Sequence, residues 1–193
     1  METTLELGFQ IGRCQPVTAP PMTEDPEVAL LVEAARDGDR RAFGQLYNSY
    51  APMVHGILLA RVPRPDVDDL VQDVFLSALR RLSTLRDVAA FGPWLAMITR
   101  NRANDYYRRS QDTTELPEDL AKHDPPGAEA LEALAAIQSL PEVYRETLIL
   151  RLVEGMTGLE IAERTGLTPA SVRVNLHRGM KQLREKLGKE ARS

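Results

Sequence analysis

The chain has 193 residues, 43% of them hydrophobic, which is enough apolar surface for one ordinary domain or two small ones. A single cysteine, Cys14, excludes an internal disulfide, no Cys/His spacing resembles a zinc site, and no stretch approaches the roughly 20 apolar residues of a membrane span. The expectation is a cytoplasmic protein with no membrane insertion, no metal and no cofactor. The opening METTLELGFQIGRCQPVTAPPM starts acidic and has no sustained apolar run, so it reads as neither a signal nor a transit peptide.

The net charge of −4 looks wrong for a nucleic-acid binder until it is divided along the chain. Residues 1–27 carry one basic and five acidic side chains, and residues 28–110 carry twelve and nine. Residues 111–137 then carry one and seven, and residues 138–193 ten and seven. Two basic modules are thus separated by an acidic connector. The basic charge is also clustered: Arg100 to Arg109 holds four arginines against Asp105, and Arg173 to Arg192 holds seven basic residues against two acidic ones.

In chain order, residues 1–26 contain Pro16, Pro20, Pro21 and Pro26 with little periodicity and read as a disordered tail. Val28, Leu31, Val32 and Ala35 repeat at helical spacing, and Asp37-Gly38-Asp39 ends that helix and starts another. Phe43, Leu46, Tyr47, Tyr50, Val54, Ile57 and Leu58 make one apolar stripe, with Pro52 expected to kink the helix. Asp66 is the expected N-cap of the clearest helix in the chain, whose inner face is Val67, Leu70, Val71, Val74, Phe75, Ala78, Leu79 and Leu82. Its outer face carries Asp68, Asp69, Gln72 and Asp73. Compensation of the helix dipole explains Asp66, Asp68 and Asp69 but accounts less well for Gln72 and Asp73.

After a loop from Arg86 to Ala90, Gly92-Pro93 fits the N-cap and first position of a helix running to about Arg109. Trp94, Asn101, Asp105 and Arg108 fall near one face of it. An isolated Trp is more often core than platform. Here Arg100, Asn101, Arg102, Arg108 and Arg109 stand beside it and could supply the phosphate contacts that a stacked single strand needs. Gln111 to about Glu129 has three prolines and many acids and is expected to be a flexible linker.

Helical periodicity returns at Leu131, Leu134 and Ile137 and again after Leu140-Pro141. Thr157-Gly158-Leu159-Glu160 is a capping box. Ala162, Gly166 and Val172 are spaced as a helix-turn-helix requires, and Thr168-Pro169 opens its second helix. Ser171, Arg173, Val174, His177, Arg178 and Lys181 project from that helix and suit reading of a DNA major groove. The fold class expected is all-α: two small helical domains joined by a flexible acidic linker, the C-terminal one containing a helix-turn-helix. The boundaries are 1–26 for the tail, 27–110 and 131–193 for the domains, and 111–130 for the linker.

The stretches DDLVQDVFLSAL, FGPWLAMITRNRANDYYRR and LPEVYRETLILRLVEGMTGLEIAERTGLTPASVRVNLHRGMKQLREKL resemble, in this order, regions 2 and 4 of a bacterial RNA polymerase sigma factor. The group resembled is the extracytoplasmic-function (ECF) subfamily of the sigma-70 family. The resemblance covers about Val28 to Leu187 and implies a non-enzymatic protein that binds core RNA polymerase, directs it to promoters and helps open the DNA. It assigns Asp69, Gln72 and Asp73 to the clamp helices of the largest polymerase subunit, with the beta flap as a further contact. Arg86, Phe91, Trp94, Asn101, Arg102, Arg108 and Arg109 fall to the minus-ten element, and the loop from Arg86 to Phe91 to an extruded base. Ser171, Arg173, Val174, His177, Arg178 and Lys181 fall to the minus-thirty-five element. An anti-sigma factor is a further implied partner. Val174, Asn175 and Met180 depart from the residues common at those positions. The alternative function is a polymerase-independent helix-turn-helix regulator with a helical N-terminal sensor domain, which would bind a palindrome as a dimer. A helical hydrolase or metal enzyme finds no support, because His55, His123 and His177 lie far apart and match no ligand or catalytic motif.

Overall fold

The computed structural model of the chain describes residues 26–112 and 128–190. The expected tail up to residue 25, the middle of the expected linker, Cys14 and His123 lie outside the described residues. Among the described residues the regular structure is entirely helical. Eight α-helices lie there: α1 Pro26–Arg36, α2 Arg40–Leu59, α3 Val67–Arg81, α4 Phe91–Asp112, α5 Ala128–Gln138, α6 Glu142–Leu152, α7 Gly158–Thr165 and α8 Pro169–Glu190.

Local sequence sets most of the boundaries. Helix α1 has Glu27 in its first turn and Arg36 in its last, both favourable to its dipole. The turn to α2 passes through Gly38 at φ +95°, a left-handed conformation that glycine adopts without a Cβ penalty. Asp39 then caps α2 by accepting from the backbone N–H groups of Arg41 (2.8 Å) and Ala42 (3.3 Å). Pro52 sits within α2 without ending it.

Three expectations are corrected by the structure. Asp66 precedes α3 but does not cap it with its side chain. Its carboxylate is instead taken by the Tyr106 hydroxyl of α4, which donates to it at 2.8 Å. Leu79 faces outward, 47% exposed, while Val67, Leu70, Val71, Val74, Phe75 and Ala78 are buried as expected. Helix α4 begins at Phe91, ahead of the expected Gly92 cap and Pro93 start, following a 3-10 turn over Val88–Ala90 that Asp87 caps through the Ala89 N–H at 3.0 Å. Gly92 and Pro93 therefore lie inside the first turn. Proline is tolerated there because its missing N–H would have no intrahelical acceptor.

Helices α1 to α4 form an N-terminal bundle, and α5 to α8 form a C-terminal one. In the latter, Thr157 and Glu160 make the reciprocal capping box that the sequence announces. Gly166, at φ +77°, ends α7 in the left-handed region. Thr168 Oγ1 accepts from the Ser171 N–H at 3.1 Å and so starts α8. Ala162 and Val172 are buried where the helix-turn-helix crosses.

The two bundles meet: α6 packs against α2, and α7 packs against α4. Close approach of α2 and α6 requires Gly56, where an added Cβ would fall 2.8 Å from Leu150 Cδ2 and 2.9 Å from Glu154 Cγ. Gln138 donates to the Leu59 carbonyl at 2.8 Å. His55 Nδ1 lies 2.7 Å from Glu154 Oε1. That hydrogen bond holds the imidazole above its ordinary pKa, against burial and with help from the Glu154 and Asp68 charges, while Arg64 opposes it. Among the described residues a single apolar core runs from Val32 in α1 to Leu183 in α8.

Two stability measurements follow from these contacts. Gly166→Ala forces a Cβ into the left-handed region and toward Pro93, 3.2 Å away. The expected cost is about 1–2 kcal/mol, read as a fall of roughly 2–8 °C in melting temperature. A raised histidine pKa in the folded state contributes stability below the unfolded value and loses it as pH rises through the raised value. The melting temperature should therefore decline modestly as pH rises above the ordinary histidine value of about 6.5, and His55→Gln should remove that decline.

Candidate polymerase and promoter surfaces

Helix α3 turns an amphipathic sequence into a mixed outer face. Asp69 and Gln72 are exposed, and Leu76 (52% exposed) and Leu79 continue the same row at helical spacing. The acidic positions expected to meet a protein partner thus stand next to two uncovered leucines. Depleted charge and an apolar centre are the features of an interface core. Leu76 and Leu79 are the residues that the sequence reading missed, and their signal was available, since 69, 72, 76 and 79 step by three and four. Asp73 lies at the edge of this face, half-exposed, and receives the Arg102 guanidinium of α4.

Arg102 had been expected at the minus-ten element and Asp73 at the polymerase, yet they neutralise each other. A half-exposed pair of this kind contributes no more than about 1 kcal/mol, so either ligand could displace it. The rest of the expected minus-ten set divides into floor and surface. Phe91 is fully buried, edge-on to Tyr50 at 5.0 Å between ring centroids and tilted against Trp94 at 5.9 Å. Expected as a contact residue, it is a support for Trp94, because its ring has no free face. Trp94 is partly buried, Asn101 and Arg86 are exposed, and Arg108 is exposed with Asp105 3.0 Å away. The Arg109 side chain lies outside the described residues.

Arg100, on the neighbouring edge of α4, is engaged by α6. Its Nε and Nη2 donate to the two oxygens of Glu146 in α6 at 3.2 and 2.6 Å. Arg61, just beyond α2, donates to Glu146 at 2.8 Å and also pairs with Glu142. The Glu146 side chain is only 8% exposed. Burial pushes its carboxyl up, but the hydrogen bonds and charge of Arg100, then of Arg61, overcome that and hold it below the ordinary carboxylate value. Beside this cluster Arg164 of α7 donates to the Ser49 carbonyl, and its guanidinium lies 5.1 Å from the centre of the Tyr50 ring.

On α8 the six expected reading residues Ser171, Arg173, Val174, His177, Arg178 and Lys181 are all exposed. Asn175 is not among them: it is buried, with Nδ2 3.5 Å from Thr147 Oγ1. Its departure from the family pattern therefore bears on packing. Gly179 allows the close approach of α6, since an added Cβ would meet Leu148 Cδ1 at 3.0 Å and Tyr144 Cβ at 3.1 Å. Among the described residues no group of three or more His, Cys, Asp or Glu could hold a metal ion, and no helix is long and apolar enough to cross a membrane.

Comparison with known proteins gives two family matches, in chain order. The family model for sigma-70 region 2 matches residues 46–113, and that for sigma-70 region 4 matches residues 130–183. The chain is 35% identical over 167 residues to the RNA polymerase sigma factor CarQ of Myxococcus xanthus, covering 81% of this chain and 95% of that relative. It is 30% identical over 185 residues to the ECF RNA polymerase sigma-E factor of Haemophilus influenzae, covering 86% and 98%. Among solved structures it resembles CnrH in complex with the cytosolic domain of CnrY, with a TM-score of 0.61, 26% identity, and coverage of 84% of this chain and 98% of that one. It shares the fold of RpoE from Bartonella quintana, solved with the anti-sigma factor NepR, at a TM-score of 0.56 and 21% identity over 76% of this chain and 96% of that one. Both regions are matched in order and the relatives align over nearly their whole length, so the chain belongs to the ECF group of the sigma-70 family of RNA polymerase sigma factors.

Proposed function

We propose that this sigma factor docks on core RNA polymerase through the α3 face made by Asp69, Gln72, Leu76 and Leu79, with the C-terminal bundle contacting the beta flap. Trp94, Asn101 and the arginines of α4 would then take the separated strand of the minus-ten element, and α8 would read the minus-thirty-five element as duplex. The observation that carries this reading is the coexistence in one chain of an acidic and apolar face on α3 and a basic, fully exposed reading face on α8. A polymerase-independent regulator would have no use for the first of these.

The protein acts without catalysis of its own, and energetics make the polymerase necessary. Opening roughly ten base steps at about 1.4 kcal/mol each costs on the order of 14 kcal/mol. One or two stacked bases return only about 1–3 kcal/mol each. Promoter opening therefore belongs to the complex with polymerase. The solved relatives CnrH and RpoE were captured with CnrY and NepR. A protein inhibitor of this chain, acting in the cytoplasm on the same surfaces, is part of the proposal.

Transcription in vitro with purified core polymerase on a promoter library should yield defined start sites. Failure to bind core or to direct any start would overturn the reading, as would stable melting of duplex by the free protein. Asp69→Arg with Leu76→Ala should weaken core binding at least tenfold with the helical circular-dichroism signal unchanged. Asp73 is a poorer choice, because its substitution also releases Arg102. Arg178→Ala should cost about 1–3 kcal/mol at the upstream element if it meets a base edge, measured as the change in start-site use between matched and mismatched promoters.

A further inference from the structure

One member of the α8 reading face has no account in the fold. Val174 is 43% exposed, in the second turn of a helix whose other outward positions there are Arg173, His177 and Arg178. Packing does not call for it, because Val172, Asn175 and Gly179 make the buried edge of α8. Helix propensity does not call for it either. A β-branched residue loses side-chain freedom in a helix, and alanine, lysine or glutamine would serve an exposed position better. Single exposed valines are ordinary on a protein surface. This one has company: Ala170, four positions earlier, is exposed on the same face, so the two make one small apolar spot among cations.

The nearest polar reader is already committed. The Ser171 hydroxyl lies 2.8 Å from that of Thr168, which also accepts the Ser171 N–H at 3.1 Å. Ser171 is thus spent on opening the helix, and Val174 is left near the centre of the turns that approach base edges when a recognition helix enters a major groove. Each base pair presents donors and acceptors there, but the apolar group on offer is the 5-methyl of thymine. Pressed against any other edge, a valine would strip water from a polar atom and return no hydrogen bond.

We infer that Val174, with Ala170 beside it, is a thymine reader, whose methyl groups pack on the 5-methyl of a thymine in the upstream duplex element. The inference rests on the sigma-factor reading and deepens it by naming a base. Helix geometry supplies the register. Arg178 stands one turn further on, about 6 Å along the axis, which is roughly two base steps at ~3.4 Å per pair. Its guanidinium suits the O6 and N7 of guanine. The element should therefore carry a thymine within about two base pairs of a guanine.

The test uses the full chain assembled with core polymerase. Upstream elements are selected from promoters randomised over the minus-thirty-five region. Each thymine of the selected duplex is then replaced singly by deoxyuridine, which removes the methyl and keeps the pairing edge. At one position uracil should lower start-site use about fourfold, the worth of one buried methyl group. In Val174→Ser, which is exposed and should leave the circular-dichroism signal unchanged, the same replacement should have no effect. The sensitive thymine should lie within about two pairs of a guanine whose preference Arg178→Ala relaxes. A selected element in which no uracil replacement matters overturns the thymine reader, and so does a sensitive thymine remote from that guanine. A uracil effect that Val174→Ser leaves unchanged also overturns it, since the methyl would then act through DNA shape or another side chain. If no upstream element is selected at all, the sigma-factor reading fails and the inference with it; if one is selected and uracil is silent, the thymine reader alone fails.

Discussion

A carboxylate buried between two guanidinium groups is the constraint on which this molecule turns. Moving an ion out of water costs several kcal/mol even after relaxation, and only the full set of partners offsets it. Glu146 has those partners solely because α2 and α4 bring Arg61 and Arg100 to it. A partly opened interface would leave a buried anion with one partner, at a cost of about 3–5 kcal/mol.

Helix α4 is where the contacts of both bundles converge. One edge gives Arg100 to Glu146, another gives Arg102 to Asp73, and a third keeps Asn101 and Arg108 outward. Tyr106 and Tyr107 anchor its far end, to Asp66 and to the Arg61 carbonyl. The aromatic floor of Tyr50 and Phe91 beneath Trp94 is what fixes the direction of the exposed residues, and edge-to-face rings contribute about 0.5–1.5 kcal/mol beyond their burial. Arg164 lies against the outer side of that floor, so the C-terminal bundle also steadies the platform that it partly covers.

Features governed by residues within one turn of each other were legible in the sequence. The capping box at Thr157 and Glu160, the left-handed Gly166, the Thr168 cap and the Asp39 cap follow from short-range chemistry that no distant contact outbids. The same locality made the six exposed positions of α8 readable. What escaped was decided at long range. Asp66 has the composition of a cap, but its carboxylate finds Tyr106, 40 positions away. Gly92 looks like a helix start, but its missing side chain serves the approach of Arg164. Phe91 and Trp94 are adjacent in pattern, and only packing against Tyr50 decides which is floor and which is face. Glu146 reads as one more charge on a mixed helix, since nothing nearby announces that both of its cations come from the other bundle.

The buried Asn175 has a consequence for how such a protein changes over generations. With Thr147 and the Gly179 contact, it pins the inner edge of α8 and so fixes the rotation at which the helix is presented. Arg173, Val174, His177 and Arg178 take no part in that packing and are free of its constraints. Substitutions among them leave the scaffold as it was, so on the proposed function the reading face can vary independently of the packing. A duplicated copy could thus acquire a new set of target genes through single, individually tolerated replacements, without passing through an unfolded intermediate.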